Sequence, residues 1–175
     1  ATQTTKQRRR PANRGRRYPL PRNRRPSTQT GVTRNGYLPI QFADGQIEEV
    51  HRKMQLIPLH ETSIFKAGVA VSTVELPSGL VVGILICLDG INPWLVAETV
   101  RAGAQLIVVV NGTNYGRNST TPRLQFRLSS LLALHHRIPM VVVASNGPSG
   151  YVSATGKVTE VVEGSQALLR VNHEY

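Results

Sequence analysis

One residue in this sequence carries a soft nucleophile. Cys87, the sole cysteine, closes the most apolar run of the chain, Leu80-Val81-Val82-Gly83-Ile84-Leu85-Ile86, and leads into Leu88-Asp89-Gly90. Sites in α/β proteins collect at the carboxyl ends of strands, and a thiol there turns nucleophilic when a cation and a base stand close enough to generate the thiolate. The same residue also reads as a small hydrophobe of the core, and position leaves both readings open. A second candidate is Lys53, in Lys53-Met54-Gln55-Leu56-Ile57-Pro58-Leu59-His60-Glu61. A buried lysine beside a carboxylate polarises a carbonyl oxygen in acyl transfer; a solvated lysine on the same segment does no chemistry. The pair His135-His136 points about 100° apart on a helix, and no cysteine, histidine or acid lies at ligand spacing from it. Neither a metal nor a cofactor is expected.

The elements that must position these residues are legible from periodicity and punctuation. Gly36 to Phe42 is strand-like, Ala43-Asp44-Gly45-Gln46 is a turn signal, and Ile47 to Val50 reads as the return strand of a hairpin. Val69 to Glu75 alternates like a half-buried strand, Leu76-Pro77-Ser78-Gly79 is a turn, and Leu80 to Cys87 is apolar on both faces, as a fully buried strand is. Asn92 is placed to cap a helix with Pro93 at its first position and Gly103 beyond its end. Gln105 to Val110 and Pro139 to Ala144 are two further buried strands. Between them, Pro122 to His136 is amphipathic, with Leu124, Leu128, Leu131, Leu132 and His135 forming the face expected to pack inward. Val152 to Val162 reads as a terminal hairpin turning at Ala154-Thr155-Gly156-Lys157. The order strand, helix, strand, helix, strand, hairpin predicts an α/β sheet covered by helices on at least one face.

The net charge of +11 is concentrated at one end. Residues 1–30 hold Lys6, Arg8, Arg9, Arg10, Arg14, Arg16, Arg17, Arg22, Arg24 and Arg25 and no acid, whereas the remaining residues carry eleven basic and ten acidic side chains. An arm of this composition, broken by prolines and short of apolar groups, is expected to be disordered when free. Its arginines suit bidentate phosphate contacts, with strongly salt-dependent binding to nucleic acid or an anionic surface; as a bland alternative it is a solubilising spacer. With Tyr18 its only aromatic, it is poorly equipped to stack bases. A single cysteine excludes an internal disulfide framework. The longest apolar run is about half a membrane span, so no transmembrane helix is expected, and nothing identifies a compartment. Two units follow, an arm over 1–30 and a domain over 31–175.

Taken in order, three segments resemble the nitrilase, or carbon–nitrogen hydrolase, superfamily: Lys53-x-x-Leu56-Ile57-Pro58-Leu59-x-Glu61, Gly83-Ile84-Leu85-Ile86-Cys87-Leu88-Asp89 and Ala102-Gly103-Ala104-Gln105-Leu106-Ile107-Val108. The nearest branch is similar to the carboxyl part of the apolipoprotein N-acyltransferase nitrilase domain. Asn111 to Gly116, Arg137-Ile138-Pro139, the Asn146-Gly147-Pro148-Ser149-Gly150 loop and the Ala154-Thr155-Gly156-Lys157 turn extend the likeness. The resemblance implies a partial αββα sandwich and a Glu-Lys-Cys acyl-transfer site. In it, Cys87 would form a thioester, Lys53 and the backbone N–H of Leu88 would stabilise the oxyanion, Glu61 would hold Lys53, and Asp89 would stand near the substrate where the acyltransferases have a glutamate.

The departures weigh on function. The family's general base is a glutamate tens of residues before the lysine, whereas here the acids preceding Lys53 are Asp44, Glu48 and Glu49. The amino half of the sandwich is expected to be missing from this chain, leaving one sheet face open for another subunit or a missing segment. General-base assistance is worth about 10²–10⁴ in rate, so the chain alone is expected to be a poor catalyst. Two functions follow: an acyltransferase or amidase part that needs a base from elsewhere, or a non-catalytic nitrilase-like body that docks its arm on nucleic acid or a nucleoprotein assembly.

Overall fold

The computed structural model describes residues 37–41, 47–112 and 120–163; the arginine-rich arm, the Ala43-Asp44-Gly45-Gln46 turn and residues 113–116 of the Asn111 to Gly116 loop lie outside them. The hairpin read from the sequence is present as β1 (Tyr37–Gln41) and β2 (Ile47–Arg52), antiparallel, with a register shift between Leu38 and Pro39. Proline has no N–H for a ladder, and an irregularity is where a strand tolerates it.

Six further strands form one sheet in chain order: β3 (Ser72–Glu75), β4 (Val81–Ile86), β5 (Leu106–Asn111), β6 (Met140–Ala144), β7 (Pro148–Val152) and β8 (Val158–Glu163). The three central strands run parallel, with Ile86 opposite Val110 and Asn111 opposite Ala144; the outer pairings are antiparallel. Parallel neighbours require crossovers, and these are α1 (Pro93–Arg101) and α2 (Thr121–His136). Asn92 accepts from Trp94 N and Leu95 N, Pro93 occupies the first turn of α1, and Gly103 adopts φ 94° just beyond it.

Both crossovers share one face, as right-handed connections place them. Leu85, Ile107, Val109, Met140, Val142 and Val152 of the sheet pack there on Leu95 and Val96 of α1 and on Phe126 and Ala133 of α2. The opposite face carries Val82, Ile84, Ile86 and Leu106, with Val50 of β2 against its β3–β4 side. Among the described residues that face thins out toward β6 and β7: Val108, Val141 and Tyr151 are half-buried, while Val143 is 41% exposed. A sheet with helices on one face and a partly bare apolar face on the other is half of an αββα sandwich.

Two expectations need correction. Helix α2 does not turn its expected face fully inward: Leu128 and Leu132 are half-buried, Leu132 against the core, while His135 is exposed. Pro122, Gln125, Phe126, Ser129 and Ala133 face inward, whereas Leu124, Leu131 and Leu134 are 55%, 61% and 50% exposed. The reason is close approach: Ser129 Oγ donates to Gly90 O at 3.2 Å, and a leucine in its place would hold the helix away from that carbonyl. Pro148-Ser149-Gly150, expected in a loop, begins β7, which pairs with β8 across the turn at 153–157. At the far end of α2, the ring of His136 meets that of His135 edge-on at 4.7 Å. Burial, then His135 and Arg101, hold His136 below the ordinary histidine range.

Candidate active site

Cys87 sits where β4 stops and a 3-10 turn, Cys87–Ile91, begins. The chain reverses so sharply that Cys87 takes φ 55°, the left-handed region that side chains with a Cβ rarely occupy. Such a backbone conformation is worth about 1–3 kcal/mol of strain and persists only where its surroundings over-determine it. Here they do. Gly90 lies so close to Val109 that an added Cβ would run into that side chain. The Ser129 hydroxyl holds the Gly90 carbonyl, and Asn92 N donates to Asp89 O.

Asp89 is the main tie. Its side chain is fully buried; Oδ1 accepts from Gln55 N at 2.7 Å, and Oδ2 accepts from Met54 N at 3.0 Å and lies 3.3 Å from His51 Nε2. His51, itself 1% exposed, reaches Ser72 Oγ with Nδ1 at 3.3 Å. The Asn92 amide adds a 2.9 Å bond to Gln55 Oε1. The segment leaving β2 is thus stitched to the turn that carries Cys87, and Lys53 is the residue immediately before the two clamped amides.

Lys53 is no solvated lysine. It is 3% exposed, and Nζ donates to Glu61 Oε1 at 2.7 Å and Oε2 at 2.6 Å. Glu61 Oε2 also accepts Ile57 N at 2.8 Å, so the carboxylate closes its own loop while neutralising the ammonium. A buried ammonium without such a partner would be strongly disfavoured. Paired this way, Nζ meets both carboxylate oxygens of Glu61.

Gln125, from the first turns of α2, completes the wall. It is 3% exposed, with Nε2 3.8 Å from Cys87 Sγ and Oε1 buried without a partner. An unmet buried acceptor is worth about 1–3 kcal/mol of stability. Asn111, at the carboxyl end of the neighbouring strand, likewise has a buried, unpartnered Oδ1.

Hydrogen bonds thus link the Lys53–Glu61 pair, through the neighbouring Met54 and Gln55 amides and Asp89, to the turn that carries Cys87 and Leu88. Leu88 packs its side chain on the Ile84, Ile86 and Cys87 cluster. The oxygens of Asp89, the residue expected near the substrate, meet His51 and the backbone N–H groups of Met54 and Gln55. The arm residues Arg8, Arg9, Arg10, Arg14, Arg16, Arg17, Arg22, Arg24 and Arg25 lie outside the described residues. His51 and Gln125 are contributors the sequence reading did not single out. For His51 a signal existed: residues two apart on a strand share a face, so it must lie alongside Lys53. For Gln125 none did, since the leucine stripe of α2 pointed the helix the other way.

Residues 18–166 match the family model of the carbon–nitrogen hydrolases, and the chain belongs to that family. The matched span begins inside the basic arm and includes Arg22, Arg24 and Arg25. Among curated proteins it is 30% identical over 95 residues to the apolipoprotein N-acyltransferase of Geobacter metallireducens, an overlap of 54% of this chain and 18% of that protein. Among solved structures it is similar to the nitrilase-superfamily amidase of Nesterenkonia AN1, in a cysteine-to-alanine variant, with a TM-score of 0.57 and 19% identity over 68% of this chain and 47% of the amidase. It is likewise similar to a glutamate-to-glutamine variant of that amidase showing covalent addition of the acetamide moiety of fluoroacetamide at the active site cysteine, with a TM-score of 0.57, 20% identity and the same coverage. The chain spans about half the length of these amidases and under a fifth of the acyltransferase.

Proposed function

We propose that this chain carries the nucleophile half of a carbon–nitrogen hydrolase or N-acyltransferase site. Cys87 Sγ attacks the carbonyl carbon of an acyl donor. The negative charge that develops on the carbonyl oxygen is met by Lys53 Nζ and the Leu88 N–H. The carbon–nitrogen bond of an amide donor then breaks, the amine leaves with a proton, and a thioester remains on Cys87. Attack by water, or by a second amine, breaks the carbon–sulfur bond and returns the thiol. Glu61 holds and aims Lys53, while Asp89 acts as a positioning residue that fixes the Lys53 segment against the Cys87 turn. The observation that supports this reading most is the buried Lys53–Glu61 pair bound through Asp89 to a cysteine held in a left-handed turn.

Among the described residues at the site, no carboxylate is left over to act as the general base. Glu61 and Asp89 are committed to Lys53, to backbone amides and to His51, so neither is free to take the thiol proton. We assign that role to a carboxylate on a second polypeptide segment seated over the partly bare sheet face, without which acylation is slow. The test is labelling of Cys87 by an activated acyl probe, read by intact mass. Labelling that is lost in Lys53→Ala supports the reading; labelling indifferent to Lys53 sinks it.

The arm supports a second, separate role. Ten basic residues and no acid within residues 1–30 favour docking on a polyanion, a nucleic acid or nucleoprotein assembly. RNA binding that falls steeply with salt and vanishes on removal of the arm is the expected outcome; binding unchanged by that removal refutes it.

A further inference from the structure

We infer that Gln125 is a working member of the site: its amide N–H holds the sulfur of Cys87, and its carbonyl is the acceptor for an N–H of the amide substrate. The inference rests on the proposed role of Cys87 and extends it to the substrate's nitrogen. It begins from placement. The inward stripe of α2 is Pro122, Gln125, Phe126, Ser129 and Ala133, and a glutamine there forgoes apolar burial that the outward leucines of the same helix could supply. Its place is fixed from several sides. Pro122, one turn earlier, abuts Gly147 so tightly that a Cβ there would strike it. Ser129, one turn later, is bonded to Gly90 in the Cys87 turn. Gln125 therefore cannot slide along its helix axis away from the sulfur.

The amide's two ends then have different fates. Nε2 lies 3.8 Å from Sγ, within reach of the larger sulfur atom, while Oε1 is buried and bonded to nothing. With the NH₂ end on the sulfur, the free end is an acceptor. Were the amide reversed, its buried nitrogen would lack a partner instead; half of the group awaits a ligand in either orientation. A second free carbonyl, Asn111 Oδ1, stands at the end of β5, the strand beside β4, on the face that α2 covers. Two unmatched acceptors in a site that handles acyl groups call for donors. A primary amide brings two N–H bonds on the atom that departs, whereas an ester brings none.

The test follows the thiol directly and needs no turnover, so it fails independently of the acyl-transfer reading, which stands or falls on acyl labelling and Lys53→Ala. The full-length wild type and Gln125→Leu are treated with methyl methanethiosulfonate, and modification of Cys87 is timed by mass. Loss of the amide N–H from the sulfur is expected to slow modification several-fold at pH 7. An unchanged rate in a variant that melts cooperatively overturns the sulfur contact. Gln125→Asn, shorter by one methylene, keeps the fold test honest: it is expected to behave like Gln125→Leu toward the thiol while retaining an amide. Protection is then measured with propionamide and with methyl propionate. Propionamide is expected to slow modification of the wild type several-fold and of Gln125→Leu little, with the ester protecting neither. Equal protection of both proteins by propionamide, no protection of the wild type, or equal protection of the wild type by the ester overturns the acceptor role.

Discussion

Asp89 is expected to be among the most sensitive residues of the site although it is given no contact with substrate. Its two oxygens serve three groups: Gln55 N on one, Met54 N and His51 Nε2 on the other. Asp89→Ala leaves two backbone amides without their acceptor in a fully buried setting. At about 1–3 kcal/mol for each stranded group, and with the bonds charge-assisted, the loss comes to about 3–5 kcal/mol. Asp89→Asn does not rescue it. Whichever way the amide is turned, its NH₂ faces either Met54 N or Gln55 N, donor against donor, so at least one backbone bond is lost and a loss of about 2–3 kcal/mol is expected. With a urea slope of about 1–3 kcal/mol per molar, alanine moves the unfolding midpoint down by one to several molar. Cys87 acylation should fall in both variants, since the Lys53 segment is released from the turn. An Asp89→Ala protein that unfolds within about 0.5 kcal/mol of wild type and acylates normally refutes the clamp.

Gly90→Ala should displace the Cys87 turn, because the new methyl meets Val109 in a packed strand with no room to give; destabilisation of about 1–3 kcal/mol by overpacking is expected, with slower thiol modification in the same variant. The pH dependence of folding carries a signature of His136. Burial, His135 and Arg101 hold its folded pKa below the ordinary value of 6.5. The unfolded chain therefore binds more protons as pH falls through that value, and stability declines below about pH 6.5. His136→Gln should flatten this decline in denaturant midpoints measured at pH 7.5 and 5.5, and an unchanged slope removes the assignment.

Much of this molecule can be read before it is folded. The cap at Asn92, the left-handed Gly103, the hairpin of β1 and β2 and the buried run ending at Cys87 are local, set by the residues beside them. The meeting of Lys53 with Glu61 is nearly local, eight residues apart and closed by a loop. What escaped was tertiary. The face of α2 is decided by which side lets the helix come down on Gly90, and small residues win there over leucines that composition favours. The environment of Asp89 depends on β2 arriving beside the turn, where the amides of Met54 and Gln55 meet its oxygens. His51 and Gln125 each join residues 38 positions away, beyond the range of any window of periodicity.

The left-handed backbone of Cys87 has a consequence for how this chain drifts under mutation. At that φ a glycine is relieved of about 1–2 kcal/mol that any residue with a Cβ must bear, so folding stability alone pushes the position toward glycine. A thiol kept only as core filling would set against that push no more than its own small burial beside Val74, Ile84 and Ile86. The turn thus acts as a ratchet on the lineage: once the chemistry of the sulfur ceases to matter, substitution by glycine is downhill, and the return requires strain to be accepted again.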